Sequence, residues 1–334
     1  MKAAIYKDVR NVTVEELPDP IGGDNDVIIR NLVSGICGSD IAAYNHGGEK
    51  VMIWKNSEFG HEMISEIIEV GCNVKEFQVG DRVYPYPAFA KGDLMRSATV
   101  GGFSEKVHIP NAQLNHNLYK VSNKISNIRA AMIEPFTVGF FGAKRSDPRP
   151  GQTAVVFGSG IIGVAAAFGL RSRGIQKIMV VDISDFRLTL LKQYDFEVCN
   201  SSQEDLGEKL VEVFGEVGEI FGKRANVDIY IDAVGIDQIP QQFQQFSKMG
   251  AKLVIIGIHH APRVIDLQKI TMSSQHIIGS AGYEDVDYIL NFMETTPYNL
   301  EQLVTQTYSL NDFNEAITTA GNSQKGLKVV IKYD

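Results

Sequence analysis

Residues 153–182 read TAVVFGSGIIGVAAAFGLRSRGIQKIMVVD, and this stretch decides the fold of the chain's second half. A continuous apolar run leads into Gly158-x-Gly160-x-x-Gly163, then a helix-like segment, then a second apolar run ending on Asp182. The first glycine permits a tight turn, the second lets the backbone approach a pyrophosphate, and the third lets the helix pack closely on the strand. Ile161 and Ile162 fall in the opening turn of that helix, whose N-terminus offers free N–H groups and a favourable dipole to phosphate. Asp182 follows Gly163 by 19 positions (182 − 163), which suits a carboxylate on the hydroxyls of an adenosine ribose. A 2′-phosphate there would meet uncompensated negative charge, so NAD is expected rather than NADP. Arg187 is the nearby residue that could instead accept a phosphate, or simply lie over the adenine.

Further along, DFRLTLLKQYDF is helix-like, while VDIYIDAVG and AKLVIIGI are short apolar runs. Strands alternating with helices imply βαβ units and a parallel, doubly wound α/β sheet of Rossmann type. The first 145 residues read differently. AAIYK, DVIIRNLVSGI, MISEIIEV, DRVYPYP and SEKVHIP are short runs punctuated by Gly and Pro, the pattern of an antiparallel, barrel-type β domain. The closing GLKVVIKYD resembles this first region more than the second.

A chain of 334 residues accommodates two such domains. With 44% hydrophobic and 22% charged residues it is an ordinary globular sequence. A net charge of −8 with no dense basic run argues against nucleic acid as a partner. No apolar stretch suits a signal peptide or a membrane span, so a cytoplasmic protein is expected. Cys37, Cys72 and Cys199 are too few and too scattered for a disulfide framework.

Chemistry in the first region concentrates in GICGSD, EFGHEMISEIIEVG and MIEPFTVG. Cys37 precedes His61 by 24 positions (61 − 37), which is not a sequence-local zinc spacing. On spacing alone, Cys37 reads more readily as a small buried hydrophobe than as a ligand, and His61 with Glu62 as a polar corner of a β domain. Glu134, before a proline in an apolar stretch, needs a partner, and a cation is one. A Cys/His/Glu set with an open position is what a catalytic zinc site requires.

GICGSD, GHE…EVG, VGDRV, GGFSEKVHIP, EPFTVG and VVFGSGIIG…VVD occur in the order, and at about the spacings, of the zinc-dependent medium-chain alcohol dehydrogenases. The chain most resembles their sorbitol (polyol) dehydrogenase group, over nearly its whole length. The resemblance implies a GroES-like catalytic domain at 1–145 and 285–334, with a Rossmann domain at 146–284. It implies Cys37 and His61 as zinc ligands, Glu62 as a direct or exchangeable ligand, and Glu134 in the third-ligand position, directly or through water. Asp40 is expected to orient His61, and Ser39 to bond the substrate oxygen and start the proton's exit. The family's relay histidine is Ala42 here, which leaves His46 as a candidate. Val138, Val234, Gly257 and Ile258 are expected at the cofactor, with His259 and His260 as neighbours of that site.

The segment YPYPAFAKGDLMRSATV carries no cysteine, so one catalytic zinc per subunit and no structural zinc is expected. The implied reaction is hydride transfer between NAD(H) and a secondary alcohol or polyol, zinc polarising the substrate oxygen. Butanediol, threonine and sugar-alcohol-phosphate dehydrogenases of the same family are alternatives, as are a zinc-free quinone-oxidoreductase-like reductase and a non-enzymatic nucleotide-binding protein. The substrate is expected between the two domains, near Tyr44, Trp54 and Phe103. A homodimer or homotetramer is expected, paired through the sheet edge near VIDLQKITMSSQHIIGSAGY.

Overall fold

TAVVF forms β9 (Thr153–Phe157), buried on both faces and central to a six-stranded parallel sheet. The structure is a computed structural model that describes residues 1–93, 96–219, 222–259, 261–262 and 264–334. Its residues divide into two units, Met1–Glu134 with Val286–Asp334 and Pro135–Asp285. In the second unit the strands are β9, β10 (Lys177–Asp182), β11 (Glu197–Asn200), β14 (Ile229–Asp232), β15 (Lys252–Ile255) and β16 (His276–Gly279). They lie in the order β11-β10-β9-β14-β15-β16, so the winding reverses between β9 and β14. Such a switch point leaves a crevice at the carboxyl ends of the strands, where α/β sheets bind ligands. The linking helices are α4 (Ile161–Arg171), α5 (Asp185–Leu191), α6 (Leu206–Phe214), α7 (Gln238–Phe246) and α8 (Leu267–Met272). Helix α3 (Ile133–Arg145) leads into the unit. Val155, Met179, Tyr230, Leu253 and Phe243 belong to one buried core, which is why these strands read as unbroken apolar runs. The antiparallel hairpin of β12 (Glu216–Glu219) and β13 (Gly222–Ala225) gave no signal in so polar a segment.

The first unit is organised around VIIRNLVSG, the nine-residue β3 (Val27–Gly35). It pairs antiparallel with β5 (Glu62–Val70), with Val27 opposite Val70 and Gly35 opposite Glu62. Its other edge takes β7 (Lys106–Ile109) near the start and β18 (Lys328–Lys332) near the end. Strands β6 (Arg82–Pro85) and β8 (Leu118–Lys120) extend the sheet beyond β5, and β17 (Val304–Ser309) extends it beyond β18. A smaller sheet holds β2 (Asn11–Glu16), β1 (Lys2–Asp8) and β4 (Ser57–Glu58). Phe59, Phe103 and Phe313 meet edge to face in the core, with ring centroids 4.8–5.5 Å apart. The helices of this unit are α1 (Gly38–His46), α2 (Asn127–Ala130), α9 (Val286–Thr295) and α10 (Phe313–Ala320). One pairing departs from the antiparallel expectation: β17 and β18 run parallel, because α10 connects them as a crossover.

Pairing of β18 with β3 carries a charge into the interior. Lys328 is 1% exposed, and its ammonium forms an ion pair with Glu62 and donates to the carbonyl of Ile36 at 2.9 Å. The Ile36 N–H in turn donates to the carbonyl of Val329 at 3.0 Å. Gly35 has no side chain because a Cβ there would overlap both Glu62 and Lys328. A buried pair contributes little over apolar replacement of both partners, but removing one partner leaves an uncompensated charge. Lys328→Met should therefore destabilise the β-rich unit of the metal-stripped protein by about 3–5 kcal/mol, read as an earlier urea transition; a loss below about 1 kcal/mol would mean that the pair is effectively solvated.

A candidate metal centre and dinucleotide site

The end of β3 and the start of β5 lie side by side, so Cys37, two residues past β3, is brought to His61 and Glu62. Ligand-type atoms of Cys37, His61 and Glu62 all lie within 4.8 Å of one another. The turn before the histidine is held by Gly60, whose φ is +93° and whose carbonyl accepts from Thr99 Oγ1 and the N–H groups of Gly101 and Gly102. A Cβ on Gly60 would press against the ring of Phe103. Short runs around FGHE and GGF therefore act together to aim His61.

The electrostatics of this cluster fit a cation. Burial, then the Glu62 charge, pushes the Cys37 thiol upward. Burial alone would lower His61, but Cys37, Glu134 and Asp40 outweigh it and hold the imidazole well above its ordinary value. Burial likewise raises the Asp40 carboxyl to about 6, against the pull of His61. Glu62 Oε1 is buried with no hydrogen-bond partner, although Lys328 takes the other oxygen. Without a cation the site concentrates acidic groups that resist ionisation together. A thiolate, an imidazole and a carboxylate form a donor set that zinc accepts, and binding it would reverse these shifts.

Several expected residues sit elsewhere than foreseen. Asp40 does not hydrogen-bond His61: its Oδ2 accepts from the Cys37 N–H at 2.8 Å, and Oδ1 has no partner. It thus fixes the start of α1, and acts on His61 through its charge. Ser39 is half-buried in the first turn of α1, whereas His46 is exposed at the far end. Seven helical positions (46 − 39) put the two about 10 Å apart along the axis, so His46 cannot take a proton from Ser39 directly. Glu134 is buried in the first turn of α3. Phe103 is wholly buried in the aromatic cluster; Trp54 is exposed, and Tyr44 lines a surface depression with Arg10, Asn45 and Thr318. Cys199 is a core residue and Cys72 is exposed. The cysteine-free segment is pinned by an ion pair of Arg96 with the buried Glu58. Sequence reading missed Lys328, although a lysine within the apolar run LKVVI was a signal that it needed an acidic partner.

In the second unit, Gly158 has φ +98°, and a Cβ there would meet Val234 at 2.7 Å. A Cβ on Gly163 would overlap the carbonyl of Gly158. Beside Gly160, the cap of α4, the nearest atom to an added Cβ is Arg187 Nη1 at 3.8 Å, so the space beside this backbone is nearly open. Ile161 and Ile162 are half-buried in the first turn of α4. Asp182 closes β10, where Oδ2 accepts from the N–H and hydroxyl of Ser159 and Oδ1 from the N–H groups of Ile183 and Ser184. Burial lowers the Arg187 guanidinium, opposed by the Asp182 charge. Val138 is half-buried in α3, while Val234 and Ile258 are exposed and Gly257 packs against the backbone of Val234 and Gly235. His260 lies outside the described residues.

Comparison with known proteins places both halves. Residues 23–120 match the alcohol dehydrogenase GroES-like domain, and residues 162–295 match the zinc-binding dehydrogenase family. The chain is 27% identical to (R,R)-butanediol dehydrogenase of Bacillus subtilis, with 94% of each chain covered. It is also 27% identical to sorbitol dehydrogenase of the same organism, over 96% of this chain and 93% of that one. The crystal structure of the Bacillus subtilis 2R,3R-butanediol dehydrogenase superposes with a TM-score of 0.86 at 24% identity, covering 100% of this chain and 99% of that one, which shows the shared fold. With both halves matched in order, the chain belongs to the zinc-dependent medium-chain alcohol dehydrogenase family, oxidoreductases that combine zinc with a nicotinamide cofactor.

Proposed function

We propose that the protein oxidises a secondary alcohol to a ketone with NAD, reversibly, using one zinc ion held by Cys37, His61 and the carboxylates of Glu62 and Glu134. The observation that carries this reading is the convergence of Cys37, His61 and Glu62 within 4.8 Å in the GroES-like half of a dehydrogenase chain. Zinc bound there would supply Lewis acidity towards an alcohol oxygen, easing its deprotonation. Asp40 holds the Cys37 backbone, and Lys328 partly neutralises Glu62, leaving one oxygen of that carboxylate as a donor. Ser39 Oγ is the group for the substrate proton: it accepts it and passes its own outward to water, since neither Ala42 nor the distant His46 can serve. The Gly158–Gly163 turn and Asp182 hold the adenosine and pyrophosphate, and exposed Val234 and Ile258 give a nicotinamide ring an apolar flank.

The named relatives act on butanediol and sorbitol. Each of those compounds has a secondary carbinol next to a second polar group. A vicinal diol or polyol is therefore the substrate class proposed here. For the cofactor, the acidic Asp182 at the end of β10, beside the glycine turn, would repel a 2′-phosphate, which supports NAD. Assembly is proposed through β16, the open edge of the six-stranded sheet, beside exposed Val264, Leu267 and Met272.

Three measurements test these points. Metal analysis should find one zinc per chain, absent from Cys37→Ser together with turnover on a diol and polyol panel; a zinc-free wild type reducing quinones would overturn the assignment. NAD should be preferred to NADP by about 100-fold in kcat/KM, the cost of one uncompensated like-charge contact, and Asp182→Ser should erase most of that preference. Sedimentation should give a dimer or tetramer that Leu267→Glu with Met272→Glu converts to monomer, whereas a monomeric wild type at micromolar concentration removes the proposed interface.

A further inference from the structure

Asp232 ends β14 and is completely buried, at the point where the second unit's sheet changes winding direction. Its Oδ1 accepts the N–H groups of Val234 and Gly235 at 2.9 and 2.8 Å. Its Oδ2 lies 2.8 Å from Nε2 of His259, in the loop that follows β15. The main chain binds the two loops together as well, since the Ile256 and Gly257 N–H groups both donate to the Asp232 carbonyl at 2.9 Å. An ionised carboxylate only accepts, so Nε2 of His259 donates to it, and in the tautomer this selects Nδ1 presents a lone pair. That Nδ1 is buried and has no partner among the described residues. A buried acceptor left empty is unfavourable, and a ligand that donates a hydrogen bond to it recovers the loss.

The position of this atom narrows the ligand. A dinucleotide crosses a doubly wound sheet at its switch point, one nucleoside over each half. Asp182, the proposed adenosine residue, is on β10, on one side of β9; Asp232 and His259 follow β14 and β15, on the other side. Val234, whose amide Asp232 holds, meets the space above Gly158 in the phosphate turn. The geometry points to His259 as a cofactor-positioning residue: its Nδ1 accepts a hydrogen bond from the nicotinamide nucleoside, through a ribose hydroxyl or the carboxamide N–H, and Asp232 sets the tautomer that makes this possible. This rests on the proposed nicotinamide-cofactor reading. A histidine pair in GIHH thereby gains a task for its first member.

The test is equilibrium binding to the zinc-loaded full chain, followed by NADH fluorescence and by calorimetry for ADP-ribose and ADP, with melting temperature as a check on folding. His259→Ala should weaken NADH about tenfold and leave ADP within twofold of wild type. Asp232→Asn keeps an oxygen for the two backbone amides but turns an N–H towards Nε2, which moves the ring proton to Nδ1. It should weaken NADH similarly while the imidazole stays in place. If ADP-ribose weakens in parallel, the donor is the ribose hydroxyl; if only NADH weakens, it is the carboxamide. Both variants binding NADH as wild type does, or losing ADP as strongly as NADH, would overturn the inference and leave the pair a structural tie. A folded wild type that binds no NADH would overturn the cofactor reading itself, and this inference with it.

Discussion

The register of β3 against β5 is the constraint on which the candidate metal centre depends. With Gly35 opposite Glu62, the chain leaving one strand and the chain entering the other place Cys37 and His61 at the same end of the sheet. A slip by one residue would turn Glu62 to the opposite face and separate the donors. Core packing resists that slip, because Val27, Ile29, Met63 and Ile67 are buried together in one cluster. Lys328 resists it too, since among the described residues its ammonium has only Glu62 and the Ile36 carbonyl as partners. The candidate metal donors and the hydrophobic core are thus specified by one and the same alignment.

Glycine is used for one purpose in both units, to let a backbone approach something that a methyl group would exclude. Gly35 makes room for a buried ion pair, and Gly163 for the carbonyl of Gly158. The difference lies in how visible this is. Gly163 belongs to a motif of fixed spacing, whereas Gly35 serves partners brought from remote positions, and nothing in its own neighbourhood announces the need.

That contrast explains what could be read from the sequence. The Rossmann unit was legible because its signals are local: apolar runs of strand length, a glycine turn and an acidic residue at the end of the next strand. The candidate donors Cys37, His61 and Glu62 were legible as a set, since each sits in a short motif. Partners that depend on tertiary pairing were not. Asp40 bonds the Cys37 amide rather than the histidine because it is three residues away on a helix start, where a carboxylate finds backbone donors first. Phe103 reads as a pocket residue in GGF, yet it packs among aromatics contributed by distant segments. The parallel pairing of β17 with β18 follows from the crossover through α10, which periodicity shows as a helix without showing where it leads. The bond of His259 to Asp232 spans two strand ends and had no sequence signature.

The separation of 266 residues between Glu62 and Lys328 has a consequence for biosynthesis. Both Cys37 and His61 are translated early, but the cation that balances their carboxylate neighbour is supplied by β18, the final strand of the sheet. A nascent chain emerging from the ribosome therefore carries an acidic, thiol-containing cluster whose counter-charge has not yet been synthesised. Until β18 docks, protons and water have to offset the charge of that cluster. The charge balance at Glu62 is therefore completed only when β18 takes its place beside β3.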